Sequence, residues 1–256
     1  TSATGMNAQQ TNIDVISHNL ANVNTTGYKS GRAEFQDLIY QQVVEPGART
    51  SDTTQNPTGI QVGLGVKTSS IQKVFIQGDL KNTDRSLDVA IEGEGFFKVQ
   101  LPNGDSAYTR TGSFKLDKDG KIVTAEGYEL DPSMTVPNDV TSISISSDGI
   151  VSVTQPGSTS LTDLGQLTAV RFPNQAGLKA MGKNLYLETE ASGAPVEGLF
   201  YQDGFGALNQ GFLETSNVSV VEQVVNMITA QRAYEASSKG ITTSDEMINL
   251  ALQMKR

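Results

Sequence analysis

The chain has 256 residues, of which 37% are hydrophobic and only 18% charged, with a formal net charge of −9 and no cysteine. That length suits one large domain or two small ones. The acidic balance argues against nucleic acid and against an anionic membrane surface, both of which need clustered Lys and Arg. Without cysteine there is no disulfide and no thiol chemistry.

Residues 5–30 read as an amphipathic helix followed by a turn-rich stretch. Met6, Ile13 and Leu20 recur every seven residues, and Ile16 and Val23 fill intermediate positions. Such spacing forms one apolar stripe on a helix, the seam of a coiled coil, which needs a facing helix. The helix is expected to end near Val23, where NVNTTGYKSG begins. Residues 32–44 read as a short helix or a partly extended segment. Residues 45–65, with Pro46, Pro57 and four glycines, read as a loop of about twenty residues, a length usually found in functional or disordered segments.

From Val66 the pattern turns to short alternating strands. Leu87, Val89 and Ile91 alternate, and after Gly93-Glu94-Gly95 the alternation resumes at Phe97, Val99 and Leu101. Asn103-Gly104, Asp119-Gly120 and Asp148-Gly149 each separate two apolar runs, the signature of two-residue hairpin turns. Residues 164–187 add one or two strands around a turn at 174–177, and residues 204–210 return to turn chemistry. At the far end Val220, Met227, Tyr234, Ile241 and Ile248 again recur every seven residues, with Val224 and Leu252 between them. Ser219 and Glu222 form a capping signature at the start. This last helix is about 50 Å long at ~1.5 Å per residue.

The fold expected is α+β: discontinuous N- and C-terminal coiled-coil-like helices with an inserted all-β module. Its parts are a helix in 1–30, a linker in 31–73 holding the loop 45–65, a β-rich outer module in 74–203, a return linker in 204–217 and a helix in 218–256. The two stripes either pack on each other within one monomer or serve assembly. The greater length of the later helix favours assembly, because exposed apolar stripes mark interfaces. The assembly residues are then Met6, Ile13, Ile16, Leu20, Val23, Val220, Val224, Met227, Tyr234, Ile241, Ile248 and Leu252.

Site chemistry is sparse. The single histidine, His18, has no company for a metal site or a triad. Gly93-Glu94-Gly95 lies inside strand text with no helix following, so it reads as a strand break rather than a dinucleotide loop. Residues 117–121 (DKDGK) place their glycine too early for a calcium loop and read as a hairpin turn. Glu92 and Glu94 read as the solvated face of a strand. No catalytic, cofactor-binding or metal-ligating residue is assigned, and no cofactor is expected. No run approaches the ~18 apolar residues of a membrane span, so direct membrane insertion is not expected. No signal peptide is visible, and a start on Thr1 rather than Met suggests that upstream residues are missing.

Three separated motifs then carry a resemblance. HNLANVNTTGYK (18–29) resembles the N-terminal signature of bacterial flagellar rod and hook proteins. IEGEGFF (91–97), YTRTGSF (108–114) and Asp119-Gly120 resemble the shared β module of their longer members. NMITAQRAYE (226–235) with DEM (245–247) is similar to their C-terminal helix. The motif residues are Asn19, Leu20, Ala21, Asn22, Thr26, Gly27, Tyr28 and Lys29. Length and the wording of 48–65 and 194–211 look most like the distal-rod members, with the proximal-rod and hook members as alternatives.

The resemblance implies a structural, non-enzymatic subunit exported by the flagellar type III apparatus without a cleaved signal. It implies a helical homopolymer, a hollow drive shaft of the basal body that crosses the periplasm, with the helices inside and the β module outside. Its neighbours would be proximal rod proteins, hook-junction proteins and surrounding ring proteins. It also implies a few further N-terminal residues before Gly5, and a stiffening segment between subunits. Pro46 and Pro57 would restrict that segment, Arg49 and Asp52 would make polar contacts, and Ile60 and Val62 would anchor it. From a different class, a secreted β-rich enzyme or adhesin on a coiled-coil stalk would show itself as a discrete oligomer rather than an open tube.

Overall fold

A computed structural model describes residues 1–47, 57–137, 139–156 and 161–254. The chain forms two units, each assembled from separate stretches. One comprises Thr1–Ala21, Gly31–Gln72 and Ser219–Arg256; the other comprises Asn22–Ser30 and Lys73–Val218.

In the first unit, α1 (Ser2–Ala21) and α2 (Val220–Met254) lie side by side and antiparallel. Asn19 near the end of α1 meets Gln223 near the start of α2 at 3.4 Å. At the other end, a methyl added to Gly5 would lie 3.4 Å from Ser237 Oγ, and one added to Gly240 3.5 Å from Ser2 Oγ. The covered face of α2 therefore carries small side chains, with Ala230 buried and Ala233 and Ser237 half-buried. Small residues let two helices approach closely. Since α2 has 35 residues and α1 only 20, the part of α2 beyond Gly240 runs past the start of α1. Two β-ribbons complete the unit: β1 (Gly31–Asp37) pairs with β4 (Val66–Lys73), and β2 (Tyr40–Val44) with β3 (Ile60–Gly63).

The second unit is β-rich. Its strands are β5 (Leu80–Asn82), β6 (Val89–Glu92), β7 (Phe96–Gln100), β8 (Ser106–Thr109), β9 (Lys115–Leu116), β10 (Ile122–Val123) and β11 (Glu129–Asp131), then β12 (Ser142–Ile145), β13 (Ile150–Thr154), β14 (Leu161–Gln166) and β15 (Thr168–Arg171), and finally β16 (Lys179–Gly182), β17 (Leu185–Leu187), β18 (Val196–Leu199), β19 (Ala207–Gln210) and β20 (Phe212–Glu214). The largest sheet runs β16-β17-β8-β7-β11-β10-β9, with β15 joining β7 to β18. Strand β7 is its hub, bonded to β8, β11 and β15. Because side chains alternate along a strand, β7 feeds two cores. Phe97 and Val99 enter a cluster with Val89, Ile91, Phe114 and Phe200, while Phe96 enters a second with Tyr108, Val170, Phe172 and Tyr186. Burying each such aromatic or aliphatic side chain contributes about 1.5–3 kcal/mol.

Asn103-Gly104, Asp119-Gly120 and Asp148-Gly149 join β7 to β8, β9 to β10 and β12 to β13, each glycine at positive φ. Gly93 and Gly95, at φ 113° and 140°, break the strand text between β6 and β7. Elsewhere the structure corrects the sequence reading. Helix α1 ends at Ala21, close to Val23 as expected, but 22–30 belongs to the β-rich unit rather than to the helical one. Of the two readings of residues 32–44, the extended one holds, as β1 and β2. The supposed loop 45–65 holds β3, which pairs antiparallel with β2 as a hairpin arm. Residues 207–210 form a strand on β6. Residues 164–187 supply β15, β16 and β17 as well as the end of β14.

Candidate functional site

The motif 19–29 is a clasp rather than a surface. Asn19 is buried and locks Gly31 from both sides: its Nδ2 donates to Gly31 O and its Oδ1 accepts from Gly31 N, each at 2.8 Å. This holds the turn back into β1. Within the β-rich unit, Thr26 O accepts from Thr111 Oγ1 at 3.1 Å and from Asn184 Nδ2 at 2.9 Å. Gly27 has φ 67° and donates its N–H to Glu214 O at 2.8 Å. A methyl there would lie 2.7 Å from Thr111 Oγ1, so only glycine fits. Tyr28 is buried, and burial pushes its phenol up to about 12. The ammonium of Lys73 lies 4.3 Å above its ring, a cation–π geometry.

Lys29 is 1% exposed. Its Nζ donates to Glu214 Oε1 at 2.6 Å and to Ile76 O at 2.9 Å. The other carboxylate oxygen of Glu214 accepts from Arg110 Nε at 2.8 Å, and Gly78 N donates to Oε1 at 2.9 Å. Arg110 also donates to Gly95 O at 2.6 Å and Ile91 O at 3.3 Å. Burial alone would raise the Glu214 carboxyl, but Arg110, Lys29 and the Gly78 amide together hold it below the carboxylate range. For Lys29, burial comes first and outweighs the attraction of Glu214, and the like charge of Arg110 adds to it, so its ammonium is held below the usual lysine range. The asymmetry has a simple cause. Glu214 faces two cations, whereas each cation shares one carboxylate, so Glu214 is ionised and Lys29 is the member under strain.

Arg110 and Glu214 were not singled out as site residues from the sequence. The available signal was a lone Arg inside YTRTGSF and a lone Glu after the apolar pair Phe212-Leu213. The assigned assembly residues are dispersed. Ile16 is buried and Met6, Ile13 and Leu20 are half-buried in α1, whereas Val23 lies outside the helix. On α2, Met227 and Ile241 flank the covered face, but Val220, Val224, Tyr234, Ile248 and Leu252 are exposed. The stripe is thus wider than the face that α1 covers. In β3 Ile60 and Val62 are exposed, as are Pro46 and Pro57 outside the strands; Arg49 and Asp52 lie outside the described residues. His18 is exposed on α1. Among the described residues, no cluster of three or more His, Asp or Glu is placed to hold a metal ion.

Three family models match in order along the chain: the flagella basal body rod protein model over residues 1–29, the flagellar hook protein FlgE/F/G D1 domain over 90–153, and the flagellar basal body rod FlgEFG protein C-terminal model over 209–254. The chain is 50% identical to the flagellar basal-body rod protein FlgG of Buchnera aphidicola (subsp. Acyrthosiphon pisum), with 99% of this chain and 97% of that one covered. It is 50% identical to FlgG of Borreliella burgdorferi, with 100% and 97% covered. It is 40% identical to FlgG of Bacillus subtilis, with 98% and 96% covered. With likeness of that degree over its whole length, the chain belongs to the FlgG family of flagellar basal-body rod proteins, which are structural subunits of the rod.

Proposed function

We propose that this rod subunit polymerises through its terminal helices into the hollow helical shaft of the distal rod, which transmits torque from motor to hook. The observation that carries this reading is the uncovered end of α2. Ile248 is 59% exposed and Leu252 62%, on a stretch that has run past α1. Exposed apolar residues grouped along one helix mark an interface, and open, non-closing contacts between identical subunits produce tubes. A coiled-coil arrangement between copies would cover Ile248, Leu252 and the outward residues Val220, Val224 and Tyr234. Proximal rod, hook-junction and ring proteins are the neighbours this placement requires. The shaft would span the periplasm, its subunits delivered by the flagellar type III apparatus.

The hairpin arm fits a second contact. Tyr40, Val43, Ile60 and Val62 are exposed on a two-stranded ribbon, which is marginal by itself and gains by packing on a neighbour. It would brace adjacent subunits and stiffen the shaft.

Ile248→Asp tests the helix reading. The site is exposed, so stability of the monomer should change by no more than about 0.5 kcal/mol. In a polymer the carboxylate would be desolvated without a partner, which is costly. Electron microscopy should show no tubes from a protein whose circular dichroism matches the parent. Normal tubes would refute the helix as the assembly contact.

A further inference from the structure

The buried cluster has a charge imbalance. Lys29 and Arg110 face a single carboxylate, Glu214, and all three side chains are at most 5% exposed. An uncompensated buried charge is costly unless something supplies its counter-charge. The donors are also in surplus. Lysine carries three N–H donors and arginine five; Lys29 has two acceptors and Arg110 three among the described residues.

Both cations line an open cavity of about 440 Å³ within the β-rich unit. Its other polar side chains, Gln77, Gln175 and Glu94, supply no buried counter-charge. The Gln77 amide is engaged at both ends, its Nε2 donating to Ile91 O at 3.2 Å and its Oε1 accepting from Gly93 N at 3.0 Å. Glu94 lies at the rim, 63% exposed and 4.0 Å from Arg171 Nη1. Its charge is therefore largely screened by solvent and directed at a different cation.

We propose that this cavity binds an oxyanion, a carboxylate or phosphate group, held on the unused donors of Lys29 and Arg110 above Glu214. A guanidinium beside an ammonium suits either group, since both offer several acceptor oxygens. Two sources carry that chemistry: a small dissolved anion, and an acidic side chain of a second copy of the chain.

The test titrates the monomeric full chain with sodium acetate and, separately, inorganic phosphate, against sodium chloride at equal ionic strength. Amide shifts of Gly93 and Gly95 and the Tm of unfolding are followed. Saturable shifts at both amides are expected, with a Tm rise of about 3–6 °C at tenfold excess over Kd. Lys29→Met keeps the balanced Arg110–Glu214 pair and should abolish both responses. Absent or non-saturable amide shifts overturn the proposal, as does an undiminished response in Lys29→Met. Assembly separates the sources. If a second copy fills the site, acetate raises the protein concentration needed for tubes, and does so less in Lys29→Met; if a dissolved anion fills it, tube formation is indifferent to acetate.

Discussion

Glu214→Gln and Lys29→Met remove opposite halves of the same buried contact, and the structure requires that they differ in severity. Glu214→Gln leaves Lys29 and Arg110 facing each other inside the unit without a counter-charge. Breaking a buried ion pair by removing one member costs ~3–5 kcal/mol. The glutamine oxygen still accepts one hydrogen bond, which favours the lower part of that range, about 3–4 kcal/mol. Lys29→Met removes the surplus cation instead. Arg110 keeps its 2.8 Å bond to Glu214, and Ile76 O keeps Asn217 Nδ2 at 3.1 Å. The loss is then close to that of a single hydrogen bond, about 1 kcal/mol. At ~2–4 °C per kcal/mol for a domain of this size, the expected falls in Tm are about 6–16 °C for Glu214→Gln and about 2–4 °C for Lys29→Met. Near-ultraviolet circular dichroism reads the transition, because Tyr28, Tyr108 and Tyr186 are all buried in this unit. If Lys29→Met proves as damaging as Glu214→Gln, the charge-balance argument fails and the lysine is needed for its packing.

The same cluster sets an acid dependence. The Glu214 carboxyl is lowered in the fold from its ordinary 4.5, so its contribution is complete above that value and is lost as pH falls through the lowered one. Denaturant midpoints measured from neutral pH downwards should fall more steeply below 4.5 in the parent than in Glu214→Gln; equal slopes would contradict this. Gly27→Ala forces a side chain into positive φ and against Thr111, at a cost of about 1–3 kcal/mol or more; urea unfolding at the parent's midpoint would show that the clasp tolerates a methyl. Deleting residues 48–58, most of which lie outside the described residues, should leave helix-driven tubes that bend, and tubes as straight as the parent's under the microscope would remove the hairpin's mechanical role.

Which parts of this fold can be read in the sequence follows from how local their causes are. A strand with a Gly-containing turn is specified within about ten residues, so the β7–β8, β9–β10 and β12–β13 hairpins are visible in Asn103-Gly104, Asp119-Gly120 and Asp148-Gly149. The terminal helices are visible for the same reason, but their contact face is not. A heptad count weights Val224 and Tyr234, whereas α1 approaches α2 where the side chains are small, at Ala230, Ala233 and Ser237. Small residues leave no hydrophobic signal, while the heptad count leads to Val220, Val224, Tyr234, Ile248 and Leu252, which are exposed. The clasp was hidden differently. Residues 22–30 have the composition of a loop, and nothing local says that a Lys there would be 1% exposed. Its partners stand at 110 and 214. Lys29, Arg110 and Glu214 fall one each within the three stretches matched by the family models, 1–29, 90–153 and 209–254. The start of the chain, the β module and the return strand thus each contribute one charge to a single buried cluster. The contact of Lys29 with Glu214 gives a physical reason for residues 22–30 to fold with the β-rich unit, although the helix they follow belongs to the other.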